Sequence, residues 1–328
     1  MTCKFGAHMS MAGGHDRAVQ AAHRLGFETV QLFTKSNNQW RARPLGDAEI
    51  SAFRHALQET GIVDPVAHNS YLINLGSPDD ELWQKSIEAM ILEVERAEAL
   101  GIGDLVAHPG AHVGSGEEAG LQRIAQALDQ IHQRTRGVRV RIDLETTAGQ
   151  GTCLGHRFEH LGAIINRVAE PERLGVCVDS CHVFAAGYAL GTRDQYNEMI
   201  DALDRAVGLD RVRLWHLNDS KKGCGSRVDR HEGIGRGQIG LEPFGWIVND
   251  SRFSGLPMIL ETPKGLEAGE DLDAIHLRSL RQLRTTVSAS ATTRPVSPDP
   301  SPTGEEGNSP CSNPPTTSPG RRSRQQPA

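Results

Sequence analysis

Imidazole and carboxylate side chains recur at one kind of place in this sequence, the end of a short apolar run. His68 precedes Asn69-Ser70-Tyr71, His108 precedes Pro109-Gly110, and Glu145 precedes Thr146-Thr147. Asp179 and His182 follow in Asp179-Ser180-Cys181-His182, His216 in Trp215-His216-Leu217, and Glu261 in Leu260-Glu261-Thr262. A loop further along adds Asp229-Arg230-His231. Taken singly, such a His is most simply a hydrogen-bonded structural residue and such a Glu one half of an ion pair. Together they are five imidazoles and four carboxylates, and carboxylates crowded at one place resist ionisation unless a cation compensates. The donor set suits zinc, and manganese or iron less decisively. Nine donors are too many for one tetrahedral ion with an open position, and enough for two or three. Asp229 and His231, two apart, point the same way from an extended loop. Asp179 and His182 lie where a strand opens into a loop, which lets them face different ions.

The elements that must position these residues are legible as an alternation. Strand-like runs cover Phe5–Met9, Thr29–Thr34, Pro65–His68, Asp104–His108, Val138–Glu145, Leu174–Asp179, Val212–Leu217 and Pro257–Glu261. They are short and rich in Val, Ile and Leu, as strands buried on both faces are. Helix-like stretches separate them: Asp16–Leu25, Asp47–Thr60, Asp80–Leu100, Glu117–Arg134, Phe158–Val168, Gln195–Val207, Glu242–Asp250 and Leu272–Arg284. Asp, Ser or Glu often open these stretches and Gly often closes them, in keeping with capping chemistry. Eight strand–helix units within about 280 residues imply an α/β fold, a (β/α)8 TIM barrel. Its chemistry then belongs at the C-terminal ends of the strands. A doubly wound open sheet is the alternative. Its nucleotide-binding forms lose support, because no Gly-x-Gly-x-x-Gly follows the first strand and no phosphate-binding loop with Gly-Lys-Ser/Thr occurs.

Composition bounds the rest. The 328 residues are 38% hydrophobic and 23% charged, enough to build a packed core. No run approaches the ~18 apolar residues of a membrane span. The opening residues lack a secretory signal pattern, and six dispersed Cys form no disulfide framework; a cytoplasmic chain with reduced thiols is expected. Nine of the 17 prolines fall between Pro295 and Pro327. Residues 1–287 are therefore read as the catalytic barrel domain and 288–328 as a disordered Pro/Ser-rich tail. The formal charge of -6 does not exclude nucleic acid, because three divalent ions would neutralise it. Lys35, Arg41, Arg43, Lys221, Lys222, Arg227, Arg230 and Arg236 fall in or near the expected mouth loops. Each alone is most simply a solvated charge, but as a group they would supply phosphate contacts.

Longer motifs resemble the bacterial endonuclease IV family: Gly6-Ala7-His8-Met9-Ser10-Met11-Ala12-Gly13-Gly14, Asn69-Ser70-Tyr71-Leu72-Ile73-Asn74-Leu75, and Leu144-Glu145-Thr146-Thr147-Ala148-Gly149-Gln150-Gly151. So do His216-Leu217-Asn218-Asp219-Ser220-Lys221 and Gly225-Ser226-Arg227-Val228-Asp229-Arg230-His231. The resemblance spans residues 4 to about 285. It implies a TIM barrel that cleaves double-stranded DNA on the 5′ side of abasic sites through three Zn2+ ions, with Mn2+ or Fe2+ as substitutes at some sites. It assigns His68, His108 and Glu145 to one ion. Glu145 then bridges to a second held also by Asp179, His216 and Glu261, and His182, Asp229 and His231 hold a third. Glu145 is thereby the catalytic residue. Tyr71 and Leu72 match side chains the family inserts into DNA, with Lys35, Asn38 and Arg230 as further DNA contacts. Asn38 stands where the family often has Arg, so a guanidinium stacking plane is missing. A role in base excision repair is implied as well; removal of 3′-blocking groups is expected because the same centre can attack a terminal phosphate ester, and a monomer because the mouth must accommodate a duplex. Asp219, Asn218 and Gln150 are candidates to orient the ligands. The rival readings are a divalent-metal sugar isomerase or epimerase on the same barrel, which needs only one or two ions, and a non-catalytic DNA-binding protein.

Overall fold

The computed structural model describes residues 2–290. Eight strands, β1 (Lys4–Ala7), β2 (Gln31–Phe33), β3 (Val66–His68), β4 (Asp104–Ala107), β5 (Arg141–Glu145), β6 (Leu174–Asp179), β7 (Val212–His216) and β8 (Pro257–Leu260), lie in one sheet of order β1-β8-β7-β6-β5-β4-β3-β2. Every neighbouring pair in that sheet is parallel. The remaining seam, between β1 and β2, is closed by a parallel bridge between His8 and Gln31. The (β/α)8 TIM barrel expected from the alternation is therefore present, with helices α1 (His15–Leu25), α2 (Asp47–Thr60), α3 (Asp80–Leu100), α4 (Glu117–Arg134), α5 (Phe158–Ile165), α6 (Ser180–Ala186), α7 (Arg193–Val207), α8 (Glu242–Val248) and α9 (Leu272–Ser290).

Helix ends follow local chemistry. Asp79 opens α3 by accepting a hydrogen bond from the Leu82 amide at 2.7 Å, and Gly101 closes it at φ 83°, a left-handed conformation cheap only for glycine. Helix α7 starts two residues before the sequence places it, because Thr192 and Gln195 form a reciprocal capping box. The described part of the chain runs past residue 287, since α9 continues to Ser290. The rest of the Pro/Ser-rich segment lies outside the described residues. Among the described helices none is long and apolar enough to cross a membrane.

Two buried layers support the mouth. Most apolar side chains, among them Phe5, Leu32, Ile87, Met90, Ile124 and Phe244, form a continuous core. A separate small cluster comprises Val66, Val106, Cys177, Leu214 and Ile259. Each of these five sits two residues before a ligand candidate: His68, His108, Asp179, His216 and Glu261. Side chains two apart on a strand share a face, so the ligand candidates and this apolar layer both face the barrel interior. Asp143, two before Glu145, is the polar member of that layer, and burial pushes its carboxyl well above the usual range.

Candidate metal centre

The nine side chains converge. Glu145, fully buried at the end of β5, stands at the middle with its two oxygens facing different neighbours. Oε2 lies 3.2 Å from His68 Nε2 and 2.9 Å from His108 Nε2. Oε1 lies 2.8 Å from His216 Nδ1 and 3.4 Å from His182 Nδ1. On the β7–β8 side, His216 Nδ1 is 3.3 Å from Glu261 Oε2 and 3.9 Å from Asp179 Oδ2. In the loop after β7, Asp229 reaches His182 Nε2 at 3.2 Å and His231 Nε2 at 3.3 Å. His231 Nε2 is also 3.7 Å from Asp179 Oδ2. That loop is held by an antiparallel pairing of Asp219–Ser220 with His231–Glu232. Two compact triads stand out, His68–His108–Glu145 and His182–Asp229–His231.

These donors fit cations. His182 Nε2 and His231 Nε2 are buried without a hydrogen-bond partner, although each lies near a carboxylate. Unpaired buried nitrogens are costly, and an ion between them and the carboxylate resolves the cost. The outer nitrogens are committed elsewhere. His68 Nδ1–H donates to the Asn69 carbonyl at 2.9 Å, His182 Nδ1–H to Thr146 at 2.8 Å, and His231 Nδ1–H to Glu261 at 3.2 Å. A carbonyl only accepts, so each of these rings turns its Nε2 lone pair to the centre, as ligating histidines do. Electrostatics agree. Burial alone would raise Glu145, yet His108 and His216 hold it well below the usual carboxylate range. Burial likewise opposes ionisation of Asp229, but the His182 ring beside it brings the carboxyl down to about 2. Glu145 and Asp229 thus stay charged and demand positive charge beside them.

Several supporting residues differ from expectation. The strand β6 does not open into a loop: it passes directly into α6, with Asp179 as its cap, Oδ1 accepting from the His182 amide at 2.8 Å. Asn218 holds Asp179 Oδ2 at 2.7 Å and accepts the Glu261 amide at 2.9 Å, so it aligns two ligand candidates rather than His216. Asp219 accepts backbone amides of Ser220, Gly237, Ile239 and Gly240 and organises a loop. Gln150 accepts the Asp229 amide at 3.3 Å. Gln31 lies in no sequence motif. Its amide nitrogen is 2.6 Å from Glu261 Oε1 and its oxygen 2.8 Å from His216 Nε2.

The proposed DNA-contacting residues divide. Tyr71 is 58% exposed at the mouth, its ring 5.5 Å from that of His68 and 6.1 Å from that of His108. Asn38 and Arg230 are exposed and Leu72 is half-buried. Lys35 is a correction: it is buried, paired with Glu93 of α3 at 3.2 Å, and donates to the Gln39 carbonyl at 2.7 Å. Its charge is neutralised inside the fold and does not reach phosphate. Arg43 and Arg236 are engaged by Glu49 and Glu267. Beside the second triad opens a cavity of about 380 Å3 lined by Tyr71, His108, Gln150, His182, Asp229 and Arg230 among others.

The class that this barrel and its mouth define is matched by the family model described as xylose isomerase-like TIM barrel, which covers residues 19–283. Solved sugar epimerases share the fold: a D-tagatose 3-epimerase-like protein superposes with a TM-score of 0.66 at 18% identity, covering 88% of this chain and 100% of that one. Within the class the match is much nearer elsewhere. A protein of Chloroflexus aurantiacus called probable endonuclease 4 is 51% identical over 280 residues, 85% of this chain and 98% of its own. A probable endonuclease 4 of Geobacter sulfurreducens is 49% identical over 278 residues, 85% of this chain and 93% of its own. The crystal structure of endonuclease IV from Thermus thermophilus superposes with a TM-score of 0.76 at 39% identity, covering 86% of this chain and 99% of that one. The chain belongs to the endonuclease IV family.

Proposed function

We propose that this DNA-hydrolysing AP endonuclease cuts the phosphodiester bond on the 5′ side of an abasic nucleotide, leaving a 3′-hydroxyl and a 5′-deoxyribose phosphate, within base excision repair. The observation that carries the reading is the clustering of eight imidazole and carboxylate side chains around Glu145, four of the imidazoles in direct contact with it. His68, His108 and Glu145 would hold one zinc ion, Glu145, Asp179, His216 and Glu261 a second, and His182, Asp229 and His231 a third. Mn2+ or Fe2+ are substitutes the same donors accept. When bound, such ions lower the pKa of coordinated water to ~7 and offset charge on a phosphate. Glu145 sets the spacing of two donor groups by offering one oxygen to each. Tyr71, exposed beside His68 and His108, offers a ring face at the entrance for the distorted duplex, with Leu72 next to it. Arg230, projecting beside Asp229, serves a phosphate. Asn38 offers a hydrogen-bonding amide without a guanidinium plane. An abasic nucleotide has no base to unstack, which lowers the cost of drawing it into the mouth. The same donors suit attack on a terminal ester, so trimming of 3′-phosphates and 3′-sugar fragments is the second activity. A monomer suffices, because all nine donors come from one chain.

The test is incubation of the full chain with a duplex carrying one tetrahydrofuran site. A single incision 5′ to that site, lost with a chelator and restored by zinc or manganese, is expected. Intact substrate in the presence of both metals would overturn the reading.

A further inference from the structure

Six strands supply ligands to the centre, and β1 and β2 supply none. They supply something else. Gln31, on β2, is fully buried, and a carboxamide is costly to bury unless its polar atoms are paired. Its contacts are all to side chains at the barrel mouth. The amide nitrogen lies 2.6 Å from Glu261 Oε1 and 3.0 Å from His8 Nδ1, and the oxygen lies 2.8 Å from His216 Nε2. A carboxylate can only accept, so the nitrogen of Gln31 must face Glu261. The oxygen then faces His216, and an amide oxygen can only accept. His216 must therefore carry its proton on Nε2, which leaves the Nδ1 lone pair toward Glu145 and Glu261.

The contrast with the other histidines gives this chain of constraints its meaning. His68, His182 and His231 are oriented by backbone carbonyls that bond Nδ1–H. His216 presents the opposite nitrogen inward and has a side chain in place of a carbonyl behind it. That side chain comes from the one seam where the barrel closes, since His8 and Gln31 form the bridge between β1 and β2 and the Met9 amide donates to the Gln31 carbonyl at 2.8 Å. We infer that Gln31 is a positioning residue of the centre, fixing the tautomer of His216 and the rotamer of Glu261 through a contact that also closes the barrel. The inference rests on the metal-centre reading above. A polar residue present only to fill the interior would have no need to spend its oxygen and nitrogen on two ligands.

The experiment compares wild type, Gln31→Met and Gln31→Glu. Zinc content and affinity are measured by competition with a chromophoric chelator, without reference to incision. Loss of an outer partner weakens metal binding by about 10- to 100-fold, so Gln31→Met is expected to lose that much for at least one ion. Gln31→Glu keeps an acceptor for His216 but sets a second carboxylate against Glu261, and a loss of at least the same size is expected. Unchanged zinc affinity in both variants, with wild type loaded, overturns the role of Gln31 alone; a wild-type chain that binds no zinc overturns the centre itself. Should either variant fail to fold, the wild-type chain still decides. Nitrogen-15 spectra of its labelled histidines in the zinc-loaded state must show His216 protonated at Nε2, and protonation at Nδ1 overturns the inference.

Discussion

The two oxygens of Glu145 and the single charge of Lys35 illustrate how position alters the meaning of a residue. Glu145 touches four imidazoles from four different strand ends. Glu145→Gln keeps the shape and removes the charge. Incision is expected to fall by at least about 1,000-fold, because metal-ion charge stabilisation is worth several kcal/mol and each ~1.4 kcal/mol is tenfold. Single-turnover cleavage reads the loss, and a gel-shift with uncleavable duplex should stay within a few-fold of wild type. Lys35 behaves otherwise. It neutralises Glu93, whose oxygens also accept from the Ser70 amide and the Thr34 hydroxyl. Lys35→Met leaves that carboxylate buried without its lysine counter-charge, at a cost of about 3 kcal/mol in urea unfolding, with no change in the salt dependence of DNA binding. Arg230→Ala should do the reverse, reducing the salt slope by about one without destabilising the fold. Basic residues in loops look alike in a sequence; only burial against α3 separates Lys35 from Arg230.

At the scale of elements, the strand-to-helix passage from β6 to α6 places two ligand candidates with a single residue of cap. Asp179 uses one oxygen to start the helix and has the other held by Asn218, facing the centre. A seven-residue helix leaves little periodic signal, which is why His182 reads from sequence as a loop residue. Its ring nevertheless points correctly because the first helical turn returns it toward the Thr146 carbonyl. One pair of helices in the outer ring approaches closely. Gly162 of α5 lies against the backbone of Ala206 in α7, and an added Cβ would run into the Ala206 carbonyl. Gly162→Ala is therefore expected to destabilise by about 1–3 kcal/mol despite the better helix propensity of alanine, measured as a lower urea midpoint with an unchanged slope.

For the molecule as a whole, stability should depend on acid and on metal. Burial holds His132, His160 and His276 down to about 4, against an ordinary 6.5, with Arg173, His156 and Arg236 respectively adding to the effect. Well above pH 6.5 these rings are neutral in both states and contribute nothing to the slope. As the pH falls from 6.5 toward 4 the unfolded chain takes up protons that the fold refuses, so stability declines across that window. Thermal melts of the chelator-treated chain at about pH 7.5, 6 and 5 check this, and a melting temperature flat over the range would contradict it. Metal acts in the opposite direction. Ions that bind only the folded chain stabilise it by about 4 kcal/mol when present at 1,000 times their dissociation constant, so zinc should raise the melting temperature and a chelator should lower it.

Much of this protein is determined by covalent order alone. Short runs of branched apolar residues alternating with capped amphipathic stretches dictate eight strand–helix units, and an imidazole or carboxylate at the end of six of those runs must appear at one rim once the strands are parallel. Period-two alternation even places Val66, Val106, Cys177, Leu214 and Ile259 beneath the ligand candidates. Three decisions belong to the tertiary structure: the burial of Lys35, the redirection of Asn218 from His216 to Asp179, and the use of Gln31. Gln31 and Glu261 stand 230 positions apart, and no local pattern relates them. They meet because closing the barrel sets β1 between β8 and β2, and a carboxamide inside a closed barrel must find partners among whatever side chains that closure brings to it.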